Sequence, residues 1–252
     1  MSRLGLPEGV TACLFDLDGV LTSTASLHFQ AWKQMFDEYL RVRAELKTKV
    51  PVLFEMPDYL QYVDGKPRAE GVRSFLASRD IELPQGEPED PPGSLTVQGL
   101  GNRKNDLVLQ IMKEKGVEAF EGSRIYLQAV EATGLKRAVV SASTNTPSVL
   151  EACGLAGHFD TVVDGNVALA EGLRGKPFPD TFLHAARVLG VEPAAAAVFE
   201  DALAGVQAGR DGGFGFVVGV DRADQAEALR AAGADVVVQD LAELLQLEPE
   251  VR

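Results

Sequence analysis

Short runs of consecutive apolar residues recur along the chain, and each has the length of a β-strand. The apolar residues run continuously rather than at every second position, which predicts strands that are buried on both faces of a parallel sheet. These runs occupy residues 12–15, 138–141, 161–163, 196–199, 214–218 and 234–238.

Amphipathic stretches that predict helices lie between these strands, at residues 123–133, 147–153, 179–189, 202–212, 225–232 and 241–246. A glycine directly follows four of them, as is typical of helix C-termini: Gly134, Gly154, Gly190 and Gly233. The alternation of strand and helix predicts an α/β fold, a doubly wound, Rossmann-like parallel sheet with helices on both faces. In such folds ligands bind outside the carboxyl ends of the strands.

One long segment interrupts the alternation. Between about residues 24 and 120 we find no good strand, but helical periodicity occurs at residues 27–42, 68–78 and 105–115. A proline-rich stretch at residues 87–93 predicts an irregular loop. We therefore expect a helical cap domain at residues 24–116, inserted into a core domain formed by residues 1–23 and 117–252. The insert should overhang the end of the first strand.

Composition and charge narrow the function. The 252 residues are 46% apolar and 24% charged, which excludes disorder, collagen and coiled coil. No apolar run reaches the roughly 20 residues of a membrane span, and the start does not resemble a signal peptide, so we expect a cytoplasmic protein. The formal net charge of −13 disfavours nucleic acid and anionic membranes as partners, so an anionic substrate would need local cations. Two cysteines, Cys13 and Cys153, are expected to be buried as small hydrophobes.

Two aspartates, Asp16 and Asp18, follow the first predicted strand in the sequence Asp-Leu-Asp-Gly. Carboxylates at the end of a buried strand are costly unless a cation neutralises them. Mg²⁺ is the natural candidate, because it prefers a few carboxylate oxygens together with water and phosphate. The alternative is a pair of turn aspartates that cap the loop.

Three further polar groups follow later predicted strands. Residues 141–145, Ser-Ala-Ser-Thr-Asn, offer hydroxyls and backbone amides just before a helix, as a phosphate cradle would. Lys176 precedes another helix, and Glu200 and Asp201 supply more carboxylate for a metal. Taken singly, such features are commonly a helix cap, a solvated lysine and an acidic pair at a helix dipole. Together, in order and at strand ends, they indicate one site.

In this order of motifs the chain resembles the haloacid dehalogenase superfamily of phosphotransferases. The resemblance implies that Asp16 is the nucleophile, which takes up the phosphoryl group as an aspartyl-phosphate, and that Asp18 is the general acid and base. It also implies that Mg²⁺ is held by Asp16, the backbone carbonyl of Asp18 and Asp201, with Glu200 nearby. Ser141 and Lys176 would bind the transferring phosphoryl oxygens, and positioning and charge neutralisation dominate such reactions.

A second resemblance is to the β-phosphoglucomutase subfamily. Residues 22–33 look like its hinge and first cap helix, which implies that Thr24 and His28 orient the general acid and base and that Trp32 is the cap-helix tryptophan. For Trp32 the alternative is core packing, and for His28 a surface or structural histidine. The same resemblance implies that Arg68 binds a distal phosphate.

Other positions match substrate contacts of that subfamily, and the resemblance implies this role for them: Lys104 and Asn105 in the cap, and Ala142, Ser143 and Asn145 in the core. The similarity runs from about residue 11 to about residue 219, but it departs at residues 81–99, an insertion in a cap loop that leaves the sugar open.

Three hypotheses follow. The first is a mutase that interconverts β-glucose 1-phosphate and glucose 6-phosphate through a bisphosphate. It needs two phosphate sites, and Arg68 and Lys104 would supply the second. The alternative is a sugar-phosphate phosphatase, which needs one phosphate site. A remote alternative is a non-catalytic binding protein, against which the complete set of motif residues argues. We expect a monomer, since no long heptad pattern is present.

Overall fold

The computed structural model describes residues 4–47 and 50–246. The chain divides into two compact units, one made of Met1–Ser23 and Val117–Arg252 and the other of Thr24–Gly116. No helix within the described residues is long and apolar enough to cross a membrane.

The first unit is built on a six-stranded parallel sheet with the order β3-β2-β1-β4-β5-β6. The strands are β1 Ala12–Phe15, β2 Lys136–Val140, β3 Thr161–Val163, β4 Ala196–Glu200, β5 Phe216–Val220 and β6 Val236–Val238. The helices of this unit are α5 Glu121–Ala132, α6 Thr146–Ala152, α7 Gly165–Ala170, α8 Asp180–Leu189, α9 Leu203–Asp211 and α10 Ala226–Ala232. The predicted doubly wound fold is confirmed, and β1 lies inside the sheet between β2 and β4.

Both faces of β1 are covered, which explains its continuous apolar sequence. Leu14 belongs to a cluster with Val198 of β4 and Phe182 of α8. On the other face Phe15 stacks on Phe199 with ring centroids 4.4 Å apart, and Tyr126 meets Phe15 edge-on. All four residues of β1 are fully buried, so the backbone that leads into Asp16 is held firmly.

The second unit is helical and has a core of its own. Its helices are α1 Ala25–Lys47, α2 Met56–Asp58, which continues into a single π-helical turn at Tyr59–Val63, α3 Arg68–Ala77 and α4 Val97–Lys115. Aromatic rings fill the centre, where Phe75 lies 4.2 Å from Phe36 and 4.8 Å from Phe54 between ring centroids. The described residues of this unit form no β-strand.

Several boundaries predicted from the sequence were wrong. Helix α4 begins at Val97 and not at residue 105, because the Thr96 side chain accepts a hydrogen bond from the Gly99 amide and caps the helix. The departing segment 81–99 therefore includes the first turn of α4. The stretch Leu241–Gln246 is a 3₁₀-helix, whereas its periodicity predicts an α-helix. Helices α2 and α7 were not predicted.

Candidate active site

The centre of the site is a buried lysine between two acids. Asp16 follows β1 directly, and its amide donates to the carbonyl of Phe199 at 2.9 Å. Lys176 Nζ donates to Asp16 Oδ1 at 2.5 Å and to the carbonyl of Val140 at 3.1 Å, and it forms a short ion pair with Glu200 Oε1. The loop that follows β1, the last residue of β4 and the loop that follows α7 are thereby joined at one charged cluster.

Burial and charge act against each other in this cluster. Burial raises the pKa of Asp16 well above its usual value, and Lys176 opposes that rise while Glu200 and Asp18 add to it. Burial alone would lower the pKa of Lys176, but Asp16 and Glu200 outweigh it, so the pKa lies above its usual value. The lysine therefore stays protonated as the partner of both acids.

The site holds more carboxylates than the single ammonium group of Lys176 can neutralise. Asp16, Glu200 and Asp201 are all buried, and each offers a carboxylate oxygen within 4.8 Å of the others. Lys176 pairs with two of them, Asp16 and Glu200, so the three carboxylates, when ionised, leave an excess of negative charge in a buried environment. A divalent cation fits this donor set, because hard carboxylate oxygens at such spacing are the usual ligands of Mg²⁺.

Two glycines allow the acids to approach the backbone so closely. Gly19 has φ +91°, and a Cβ atom built on it would lie 1.8 Å from Asp201 Oδ2. A Cβ on Gly205 would lie 2.0 Å from the carboxylate carbon of Glu200. Glu200 Oε2 also accepts from the Ala202 amide at 3.2 Å, so its side chain is held from two directions.

Asp18 lies in the tight loop that follows β1. Inside the loop, the Thr22 hydroxyl and amide both donate to the carbonyl of Leu17. Three consecutive carbonyls accept hydrogen bonds from outside the loop: Gly19 from Arg222 Nε at 2.8 Å, Val20 from Ser123 Oγ at 2.7 Å and Leu21 from the Phe120 amide at 3.0 Å. The backbone next to Asp18 is therefore fixed by separate parts of the chain.

The Ser141 loop makes a compact turn between β2 and α6. The Ser141 amide donates to the carbonyl of Val163, and its hydroxyl accepts from the Ser143 amide at 3.1 Å. The Ser143 hydroxyl in turn accepts from the Asn145 amide at 3.1 Å. The amides of Ser143 and Asn145 thus both donate to serine hydroxyls within the loop. Ala142 lies between the two serines, and a Cβ on Gly165 would lie 2.8 Å from its carbonyl oxygen.

In the helical unit the structure brings three of the predicted residues together. Lys104 Nζ lies 2.8 Å from His28 Nδ1 and 5.0 Å from the ring centroid of Trp32. Trp32 is only 4% exposed and stacks on Phe36, so it is also part of the core of the helical unit. Thr24 is buried, and its carbonyl accepts from the His28 amide at 2.9 Å.

Arg68 and Asn105 occupy neighbouring helices of the same unit. Arg68 opens α3, and its side chain lies along α4, where a Cβ on Gly101 would lie 3.3 Å from Arg68 Cγ. Burial lowers the pKa of Arg68, and Asp106 partly offsets this. Asn105 follows Lys104 on α4. Because residue 101 is a glycine, the Arg68 side chain can pack against α4, the helix that carries Lys104.

Two contacts near the site were missed by sequence reasoning. The Arg174 guanidinium forms two hydrogen bonds with Asp180, at 2.9 and 2.8 Å, and the Arg174 amide forms a third at 3.2 Å, which closes the loop that carries Lys176. Arg222 reaches the Gly19 carbonyl from 203 residues further along the chain. The first pair brackets the lysine motif and could have been noticed there, whereas nothing local marks Arg222.

The chain is similar to known proteins in both sequence and structure. A family model described as haloacid dehalogenase-like hydrolase matches residues 10–213. A Mycobacterium bovis protein named beta-phosphoglucomutase is 59% identical over 246 residues, covering 96% of this chain and 94% of the relative. The Bacillus subtilis beta-phosphoglucomutase is 32% identical and covers 92% and 91%. The crystal structure of a Clostridium difficile beta-phosphoglucomutase aligns with a TM-score of 0.73, 26% identity and 93% coverage of both chains.

Proposed function

The chain belongs to the haloacid dehalogenase-like hydrolase family, and from this premise we propose that it interconverts β-glucose 1-phosphate and glucose 6-phosphate. The observation that carries the proposal is the 59% identity, across nearly the whole of both chains, to a relative named beta-phosphoglucomutase. The buried cluster of Asp16, Lys176 and Glu200 supports it, because phosphoryl transfer needs a nucleophile whose negative charge is balanced locally.

We assign the chemical steps to the two aspartates of the loop after β1. A carboxylate oxygen of Asp16 attacks phosphorus and forms an aspartyl-phosphate, while the bond to the leaving sugar oxygen breaks. Asp18 gives that oxygen a proton, and it takes one from the acceptor hydroxyl when the phosphoryl group is returned. Lys176 and Ser141 bind the phosphoryl oxygens and offset the charge that collects on them.

Mg²⁺ is the cofactor that fits this site. We propose that Asp16, Asp201 and the backbone carbonyl of Asp18 hold it and that Glu200 supports them. The bound ion would neutralise charge on the phosphoryl oxygens. The support comes from the three buried carboxylates, whose oxygens lie within 4.8 Å of one another.

We propose that the helical unit supplies the second phosphate site that a mutase requires. Arg68 and Lys104 are its cations, and the second phosphate of the bisphosphate would bind to them while the first reacts. We propose further sugar and phosphate contacts from Asn105 on α4 and from four residues elsewhere: Trp32, Ala142, Ser143 and Asn145. Thr24 and His28 are proposed to orient Asp18.

The substrate class is thus a small sugar phosphate, and we place the protein in the cytoplasm, where two free thiols persist.

The direct test incubates the protein with β-glucose 1-phosphate, Mg²⁺ and a trace of glucose 1,6-bisphosphate, and follows glucose 6-phosphate and free phosphate together. We expect glucose 6-phosphate without matching phosphate release. Asp16→Asn should lower the rate by about a thousandfold or more, whereas Asp211→Asn, which changes an exposed carboxylate at the end of α9, should not. A folded, fully active Asp16→Asn protein would disprove the mechanism.

Arg68→Ala separates the mutase from a phosphatase that uses the same core. A mutase should lose about tenfold to a hundredfold in rate, because a charge-assisted phosphate contact is removed. Arg73→Ala on the same helix is the control, since Arg73 is paired with Glu70 on the surface. Phosphate release that Arg68→Ala leaves unchanged, without any glucose 6-phosphate, would instead identify a hydrolase.

A further inference from the structure

The loop between β5 and α10, residues 221–225, contacts both acidic loops of the site. Arg222 Nε donates to the Gly19 carbonyl at 2.8 Å, next to Asp18. Gln225 Nε2 donates to the carbonyl of Asp201 at 3.1 Å. One short segment therefore ties the loop that follows β1 to the loop that follows β4. None of its residues belongs to the motifs that the sequence analysis identified.

Arg222 is itself held in place by further contacts. Its Nη1 donates to the carbonyl of Gln239 at 2.6 Å, and its guanidinium carbon lies 3.8 Å from the centroid of the Phe120 ring. Burial lowers the pKa of the guanidinium, while Asp240 and Asp201 act in the opposite direction. An arginine remains charged under these conditions, so its hydrogen bond to Gly19 is charge-assisted.

The segment also has a stiff backbone. Asp221 Oδ1 accepts from the amides of Ala223 and Gln225, at 3.2 and 2.9 Å, and the Asp221 amide donates to the carbonyl of Val238 at 2.8 Å. Asp224 has φ 53°, a left-handed conformation that aspartate adopts more readily than most non-glycine residues. The donors on Arg222 and Gln225 therefore project from a fixed base.

We propose that residues 221–225 form a brace that sets the distance between the Asp16–Asp18 loop and the Glu200–Asp201 pair, with Arg222 and Gln225 as positioning residues. The inference rests on the proposed function for its kinetic consequence. If Gly19 moves, Asp18 moves with it, and a displacement of about 1 Å can cost about a hundredfold in rate. If the Asp201 backbone moves, its carboxylate moves relative to Asp16 and Glu200.

The first test compares Arg222→Ala, Arg222→Lys and Arg230→Ala, after chemical denaturation has shown that each is folded. Arg222→Ala should lower kcat by about tenfold or more and change KM by less than about twofold, because a positioning residue does not contact substrate. Arg222→Lys keeps one donor and should recover part of the rate. Arg230, exposed on α10, is the matched control. An Arg222→Ala protein whose kcat equals that of Arg230→Ala would overturn the role of Arg222.

The second test measures Mg²⁺ binding by calorimetry and needs no sugar. Gln225→Ala should weaken binding by about tenfold, and Gln207→Ala, an exposed glutamine on α9, should not. Equal affinity in the two variants would overturn the role of Gln225. If the unmodified protein does not convert β-glucose 1-phosphate, the proposed function fails, but the Mg²⁺ measurement still decides on the brace.

Discussion

Gly19 satisfies two separate constraints in the loop that follows β1. Its φ of +91° belongs to the region that favours glycine, and its missing side chain leaves space for the Asp201 carboxylate. Gly9 has nearly the same φ, +90°, but a Cβ there would have no neighbour within 4 Å. Substitutions at the two positions can therefore distinguish the effect of backbone strain alone from that of strain together with steric clash.

We expect Gly9→Ala to cost about 1 kcal/mol of unfolding free energy and to leave activity intact. Gly19→Ala should cost more and should also lower kcat by about tenfold or more, because Asp201 must move away from the new methyl group. Denaturation in EDTA and steady-state rates provide the two measurements. Equal rates for the two variants would show that Asp201 has room to shift without consequence.

The buried thiol of Cys13 leads to a prediction about how its reactivity depends on pH. Burial raises the pKa of its thiol from 9.0 to about 12, and Arg137 only partly opposes this. We expect iodoacetamide at pH 9 to leave Cys13 unmodified in the native protein and to alkylate it after denaturation, as read by peptide mass spectrometry. The raised pKa favours the folded state fully below pH 9, and that contribution is lost as the pH rises towards 12. Rapid native alkylation of Cys13 would contradict the buried environment.

At the scale of elements, the start of α4 depends on one side chain. Thr96 accepts from the Gly99 amide at 2.9 Å and donates to Asp90 at 2.6 Å, so it both caps the helix and anchors the preceding loop. Thr96→Ala should lower the free energy of unfolding by about 1 kcal/mol, measured by urea denaturation. Thr96→Ser keeps the hydroxyl and should lose much less. The same midpoint for both variants would show that the cap contributes little.

Helix α4 also shows which features of the fold the sequence could predict and which it could not. Apolar runs predicted the six strands, because short, continuous runs that alternate with helical segments are typical of buried parallel strands. Periodicity placed the start of α4 eight residues late, since Gly99 and Gly101 weaken the local helical signal while the cap at Thr96 overrides it. Gly101 is kept small by tertiary packing, where the Arg68 side chain lies against it.

Part of the candidate site could likewise be predicted from the sequence, and part of it could not. The motif residues after β1, β2 and β4 could be placed near one another, because the carboxyl ends of parallel strands meet at one edge of a sheet. Arg222 could not be assigned, since its partner is a backbone carbonyl, and any residue type at position 19 would supply one. A contact of that kind leaves no mark on the sequence at either end.

At the scale of the whole molecule, the charge distribution bears on assembly. The net charge of −13 produces self-repulsion between copies, and many of the exposed large apolar residues, such as Val42, Leu169 and Val188, belong to different helices. We expect a monomer of 27.0 kDa in light scattering coupled to size exclusion at physiological salt. A mass near twice that value, independent of concentration, would contradict the expectation.

The position of β1 within the sheet has a consequence for biosynthesis. Its neighbours begin at Lys136 and Ala196, so the strand that leads into Asp16 leaves the ribosome long before either partner exists. Such non-local pairing delays folding and keeps apolar surface uncovered meanwhile. A nascent chain that stalls before β4 has one edge of β1 unpaired and lacks Glu200 and Asp201. Prematurely ended products therefore lack the acidic cluster, and we expect their uncovered strand edge to make them targets of chaperones and proteases.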